Sequence, residues 1–196
     1  MRTLIGILNF LGTKNRENML KLAFIGALLL AANKDPLHLN SGSKMKNIKV
    51  IVHHAEQNNY DPYELLAVAS VESSFNSKAI SSAGAVGLFQ VMCKFWYKQA
   101  GYKTIPACNK DLLNPRVNVK MGAKILTLVR NKYPQCAGTL AYRCYFAGHG
   151  WKRYRGKTAK QIERYESKVK ERFRILKEPF YVKMIEDIRE QAKNKA

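Results

Sequence analysis

The chain has 196 residues, 46% of them hydrophobic and 24% charged, with 34 Lys and Arg against 14 Asp and Glu for a net charge of +20. That apolar content supports one core of ordinary size and excludes a disordered polyelectrolyte, so one domain is expected. The basic excess points to a polyanionic partner: nucleic acid, anionic lipid headgroups, or the anionic polymers of a bacterial wall. Helix-spaced cations such as Arg164, Lys168 and Arg172 also suit a solvated face, and with charge as its sole support no nucleic-acid partner is expected.

Leu22 to Ala32 is an apolar run preceded by Lys14, Arg16 and Lys21. It is short for a membrane span and suits the apolar region of a secretory signal, with Ala31 and Ala32 at a cleavage site. Residues 1–32 are therefore read as a signal peptide or a membrane-anchor segment built from residues 4–32. The expected location is the periplasm or cell envelope, with any membrane contact made through this segment. Residues 33–43 (NKDPLHLNSGS) are polar and turn-rich, a linker to a folded domain over 44–176.

Helical periodicity dominates that domain. Ile48, Ile51, Val52 and Ala55 recur at helical spacing. Asp61-Pro62 starts the next helix, with Glu64 placed to complete a capping box. Residues 77–88 are rich in Ser, Gly and Ala and predict a loop or small β excursion. Asn114-Pro115 opens a helix whose apolar face is Val117, Met121, Ile125, Leu128 and Val129, ended by Pro134. Ala137 to Tyr145 keep helical spacing up to Gly148. Thr158 and Gln161 are placed to cap a helix carrying Ile162, Tyr165, Val169 and Phe173 on one face. Residues 177–196 form a basic amphipathic helix or tail, set off by Pro179. The class is mainly α.

Four cysteines, Cys93, Cys108, Cys136 and Cys144, lack the spacing of a zinc site, and no metal or cofactor is expected. One or two disulfides suit an exported chain, and buried free thiols suit a helical core.

One residue conflicts with its surroundings. In the helix DPYELLAVASVESSF the apolar stripe runs Leu65, Val68, Ala69, and the next position is Glu72. A carboxylate on a buried stripe is costly as an anion, and desolvation raises its pKa. That suits a general acid near neutral pH. Ser73 lies beside it. Gly84 and Gly87 allow backbone to approach a ligand closely, and Gln90 offers a donor and an acceptor to sugar groups. Glycoside cleavage usually needs two carboxylates. Between Glu72 and Glu163 the sole acidic residue is Asp111, placed where a capping role is an easy explanation. One carboxylate suffices if the substrate supplies its own nucleophile. N-acetylmuramic acid does so, through its N-acetyl oxygen and its 6-hydroxyl.

The stretch VESSFNSKAISSAGAVGLFQVM (71–92) resembles the signature of soluble-lytic-transglycosylase-type domains, relatives of goose-type lysozymes: Glu72-Ser73, then Gly87-Leu88-Phe89-Gln90. NPRVNVKMGAKIL (114–126) is similar to the family's Asn-bearing helix start. CYFAGHGWKRY (144–154) resembles its Ala-Tyr-Asn-Ala-Gly turn, and residues 157–173 its closing helix. The resemblance spans roughly residues 46–175. It implies a lysozyme-like single domain with at most a small β element after the catalytic helix. It implies cleavage of peptidoglycan glycan strands between N-acetylmuramic acid and N-acetylglucosamine. Glu72 would be acid and base, Ser73 would orient it or the substrate, Gly87 and Gln90 would contact sugar, and Tyr145 and Tyr165 would line the cleft. Phe146 stands where the family carries Asn, Phe89 where it carries Met, and Cys144 where it carries Ala. Trp96, Tyr97, Trp151 and Tyr154 are sugar-stacking or core candidates. The competing readings are a hydrolytic muramidase and a non-catalytic glycan-binding relic. Secretion and conjugation machinery, general wall turnover, or phages are the systems such a protein would serve.

Overall fold

The computed structural model describes residues 35, 37–39 and 41–193. The apolar segment 22–32 lies outside them, as do residues 33, 34, 36 and 40 of the expected linker, whose last two residues open the first helix. Among the described residues no helix is long and apolar enough to cross a membrane. The chain divides at Leu39–Asn40 into two units, and all the helices below belong to the second, Asn40–Ala196.

That unit is mainly α, as expected. Its helices are α1 (Gly42–Gln57), α2 (Pro62–Ser73), α3 (Cys93–Trp96), α4 (Ile105–Asp111), α5 (Pro115–Lys132), α6 (Leu140–Ala147), α7 (Gly156–Leu176) and α8 (Pro179–Lys193). Short 3-10 turns cover Pro134–Cys136 and Trp151–Arg153. The expected β excursion is reduced to two isolated antiparallel bridges, Ile80 with Val86 and Val86 with Val91. Helix α2 is the centre: five consecutive residues, Leu65 to Ala69, are at most 1% exposed. A helix apolar on all sides must be covered on all sides, and α1 and α7 pack against it. In α5 the apolar face is formed by Met121, Ile125 and Val129, with Val117 and Leu128 only half-buried.

Helix starts follow local chemistry where the cap competes with nothing else. The Asp61 carboxylate accepts from Tyr63 N at 2.8 Å, and Asn114 Oδ1 accepts from Arg116 N at 3.0 Å. The expected Glu64 box does not form. Glu64 is bound by the Arg130 guanidinium (Nη1 to Oε2, 3.1 Å) and by the Tyr142 hydroxyl at 2.8 Å. A half-buried guanidinium is a stronger partner for a carboxylate than a solvated N-cap amide. Helix α7 also starts two residues before the expected Thr158 cap, at Gly156, with no side-chain cap.

Helix α8 belongs to this core. Tyr181 and Ile185 are fully buried and Ile188 nearly so, where α8 meets α1 and α7. Ile185→Ala should lower unfolding free energy by about 3 kcal/mol, from lost burial plus the cavity left behind. Urea unfolding of the full chain measures it; a change below about 0.5 kcal/mol, the size expected of a surface site, would mean that α8 does not pack here.

Two disulfides, Cys93–Cys108 and Cys136–Cys144, account for all four cysteines. The first ties α3 to α4. The second ties the 3-10 turn after α5 to α6, one residue before Tyr145.

Candidate active site

Glu72 occupies the last turn of α2, which stops abruptly. Ser74 and Phe75 both take left-handed backbone conformations, with φ of 50° and 64°. Such conformations cost energy in non-glycine residues and persist where surroundings over-determine them. Here the Phe75 ring is buried and its carbonyl accepts from the Asn47 amide of α1 at 2.8 Å. The chain thus turns away directly after Glu72 and leaves its carboxylate at the mouth of the helix.

The Tyr165 hydroxyl of α7 donates to Glu72 Oε1 at 2.6 Å. Among the described residues no cation balances the carboxylate. Burial pushes its pKa up from 4.5 to about 7, against the smaller opposing effect of the tyrosine hydrogen bond. Tyr145 of α6 faces the same carboxylate. Burial, and next the nearby Glu72, raise both tyrosines well above the ordinary phenol value, so both remain donors.

The other acidic groups of the core are paired. Glu64 binds Arg130 and Tyr142. Glu166, 4% exposed, binds Arg143 and Lys170. Burial pushes Glu166 up, but those two cations outweigh it and hold it below the usual carboxylate range. Asp111 is exposed at the end of α4 and partners Tyr102. Glu72 is distinguished by a partner that shares its proton chemistry without neutralising its charge.

The loop after α2 is held from three sides. Ser73 Oγ donates to Leu88 O at 2.9 Å, tying the helix end to the loop. Tyr145 Oη donates to Phe89 O at 2.7 Å. Asn118 of α5, with no exposed surface, accepts from Phe89 N at 2.8 Å and donates to Val86 O and Leu112 O at 2.8 and 2.9 Å. Gly87 makes this possible: its φ is +75°, and a Cβ there would lie 2.1 Å from Asn118 Nδ2. The close approach that Gly87 permits is therefore to Asn118 of its own chain. Gln90 also works within the loop, its amide donating to Gly87 O and Ala79 O. Phe89 packs over α5, where a Cβ on Gly122 would meet its ring at 2.4 Å.

The structure therefore joins Tyr165 to Glu72 directly, sets Tyr145 near the same carboxylate, and places Ser73, Gly87 and Gln90 in the supporting loop contacts. Asn47 carried no sign in the sequence, and Asn118 entered only within the Asn-bearing helix start of 114–126, with no role assigned. Asn118 carried the same sign that singled out Glu72: a polar residue in line with Met121, Gly122 and Ile125 on a buried face. Phe146, 47% exposed, stacks on Tyr165 with ring centroids 4.8 Å apart. Trp151 lies beneath the Arg143 guanidinium, 4.7 Å from its ring centroid, and Tyr97 beneath the Lys98 ammonium. Among the described residues no group of three or more His, Cys, Asp or Glu could hold a metal ion.

The chain itself is similar to known proteins. The chain is similar to an inactive mutant of the lytic transglycosylase Slt from Pseudomonas aeruginosa, with TM-score 0.51 and 25% identity over 63% of this chain and 22% of that one. It is 32% identical over 75 residues to the endo-type membrane-bound lytic murein transglycosylase A of Salmonella typhimurium strain LT2 and to that of Salmonella enteritidis PT4. Each of those matches spans 36% of this chain and 36% of the relative. Residues 49–168 match the transglycosylase SLT domain, a span that covers more than half the chain and runs from α1 into α7, taking in Glu72 and Tyr165. The chain belongs to the transglycosylase SLT domain family.

Proposed function

We propose that this protein is a lytic transglycosylase of the bacterial envelope. It cleaves the β-1,4 bond between N-acetylmuramic acid and N-acetylglucosamine and leaves a 1,6-anhydro end. The observation that carries the reading is Glu72: a half-buried residue whose carboxyl end is the buried part, with a tyrosine hydroxyl for its partner and a pKa near 7. A carboxyl so placed is still partly protonated at neutral pH and can give its proton to a leaving oxygen.

The steps follow from a single carboxyl. Protonated Glu72 donates to the glycosidic oxygen as the bond from that oxygen to C1 of N-acetylmuramic acid breaks. The sugar's N-acetyl oxygen stabilises the positive charge at C1. Glu72, now a carboxylate with Tyr165 donating to it, takes the proton of the sugar's 6-hydroxyl. O6 bonds to C1, and the carboxyl is restored to its starting state. A hydrolytic course would need a second acid to position water. Asp111 is exposed and engaged with Tyr102, which favours the anhydro course.

Digestion of peptidoglycan with the full chain, followed by mass measurement of the muropeptides, tests the reading. Anhydro ends, each lighter by one water, are expected. Reducing ends would replace it with the muramidase reading.

The pH profile gives a second test. Cleavage should fall as pH rises through about 7, where Glu72 loses its proton. The Tyr165 hydrogen bond favours the anion, so Tyr165→Phe should move that alkaline limb to higher pH while lowering the rate. A limb that stays in place, or moves down, would detach Glu72 from the rate.

A further inference from the structure

Phe146 has an unusual combination of properties. It is a large apolar side chain left 47% exposed, one ring away from a buried carboxyl. Its ring is nearly parallel to that of Tyr165, at an interplanar angle of 23°, and Tyr165 in turn holds Glu72. One face of Phe146 is therefore committed to Tyr165.

The segment that carries it is braced on the side that leads into the ring. Cys144, two residues earlier, is bonded to Cys136. Tyr145, one residue earlier, is anchored through its hydroxyl to Phe89 O. Helix α6 ends at Ala147, with Gly148 taking a φ of +78° beyond it. An exposed ring on a braced turn has little conformational freedom left to lose when something packs on it.

Chemistry narrows what that would be. A phenyl ring offers neither donor nor acceptor. Its face carries negative quadrupole density, which attracts C–H groups that bear slight positive charge. The ring of an N-acetylhexosamine presents a face of axial C–H bonds. Asn, the residue expected at this position, would instead read the sugar by hydrogen bonds.

We propose that Phe146 is a substrate-binding platform beside Glu72, on which the C–H face of an N-acetylhexosamine packs, so that this chain reads the sugar by contact where an Asn would read it by hydrogen bonding. The proposal rests on the reading of the Glu72 cleft as the glycan site. Exposure supports it further: Tyr165 is buried and Tyr145 half-buried, which leaves the Phe146 ring as the most exposed surface of this aromatic cluster.

The test uses the full chain carrying Glu72→Gln, so that binding is measured without cleavage. A hexamer of N-acetylglucosamine is titrated by calorimetry. Adding Phe146→Ala or Phe146→Asn should each weaken binding about tenfold, while Phe146→Tyr, which keeps the ring, should stay within about twofold. Near-equal binding by the Ala or Asn variant overturns the proposal, as does failure of the parent chain to bind the hexamer. With Glu72 intact, Phe146→Ala should raise KM about tenfold on peptidoglycan and change kcat far less. The reverse split would mean a structural role acting through Tyr165, and would overturn it. Failure of the transglycosylase reading looks different: the wild-type chain would yield no anhydro ends, while hexamer binding would still depend on the ring.

Discussion

Glu72→Gln should lower the rate of peptidoglycan cleavage by about three orders of magnitude, the scale of a lost general acid, and leave the fold intact. Glutamine keeps the shape and can still accept from Tyr165, but it has no proton to give and cannot receive one. A variant that retains a tenth or more of the wild-type rate on whole peptidoglycan would remove Glu72 from the mechanism.

The same substitution should change how stability depends on pH. Unfolded, Glu72 titrates near 4.5, and folded, near 7. Between those values the folded chain holds more protons than the unfolded one, so the stability this group contributes is lost as pH rises through that window. The loss totals about 3 kcal/mol if the whole shift is realised. Glu72→Gln removes the dependence. The variant should gain on the wild type from pH 4.5 to 7 and keep a constant lead above that. Thermal melts of both proteins across that range measure it. Parallel curves would mean that Glu72 is solvated in the folded state.

Asn118→Leu should be the most damaging single change to the site that leaves every cleft-facing group in place. It strands Phe89 N and Leu112 O in a fully buried setting and takes one of two partners from Val86 O, which also accepts from Val91 N at 3.1 Å. Each stranded group costs about 1–3 kcal/mol, and partial relaxation brings the expected total to about 4 kcal/mol. Because Asn118 binds the loop that Ser73 and Tyr145 also hold, peptidoglycan cleavage should fall with it. Asn118→Asp separates the contributions: the acceptor for Phe89 N is kept, and the donors to Val86 O and Leu112 O are lost. Urea unfolding and muropeptide release from both variants check this. A loss below about 1 kcal/mol for Asn118→Leu would mean that the loop stands without its brace.

Stability and chemistry are separable at this site for a physical reason. The polar groups that build it, Asn47, Asn118, Ser73 and Gln90, each bond to backbone carbonyls or amides. Glu64 and Glu166 bond to cations. Glu72 alone among the core carboxylates carries a raised pKa with a neutral partner. A buried carboxyl without a cation stabilises nothing at neutral pH, and that is why it is free to exchange a proton.

Much of this was legible in the residues themselves. Periodicity alone placed α1, α2, α5 and α6. Asp61-Pro62 and Asn114-Pro115 marked two helix starts, because an N-cap acts through bonds only two or three residues long. Glu72 was visible as a charge on an apolar stripe, for that conflict lies within one helix. The motif set named its surroundings. What the sequence could not decide were partnerships between residues far apart in the chain. Glu64 looked like half of a capping box until Arg130, 66 residues away, was seen to reach it. Gly87 looked like room for a ligand, and tertiary packing filled that room with Asn118. The cysteines allowed several outcomes, and folding brought together Cys93 with Cys108 and Cys136 with Cys144. Local pattern determined where each helix runs and that Glu72 was out of place on its own. Only the packing of α7 against α2 decided that a tyrosine, and no cation, would meet it.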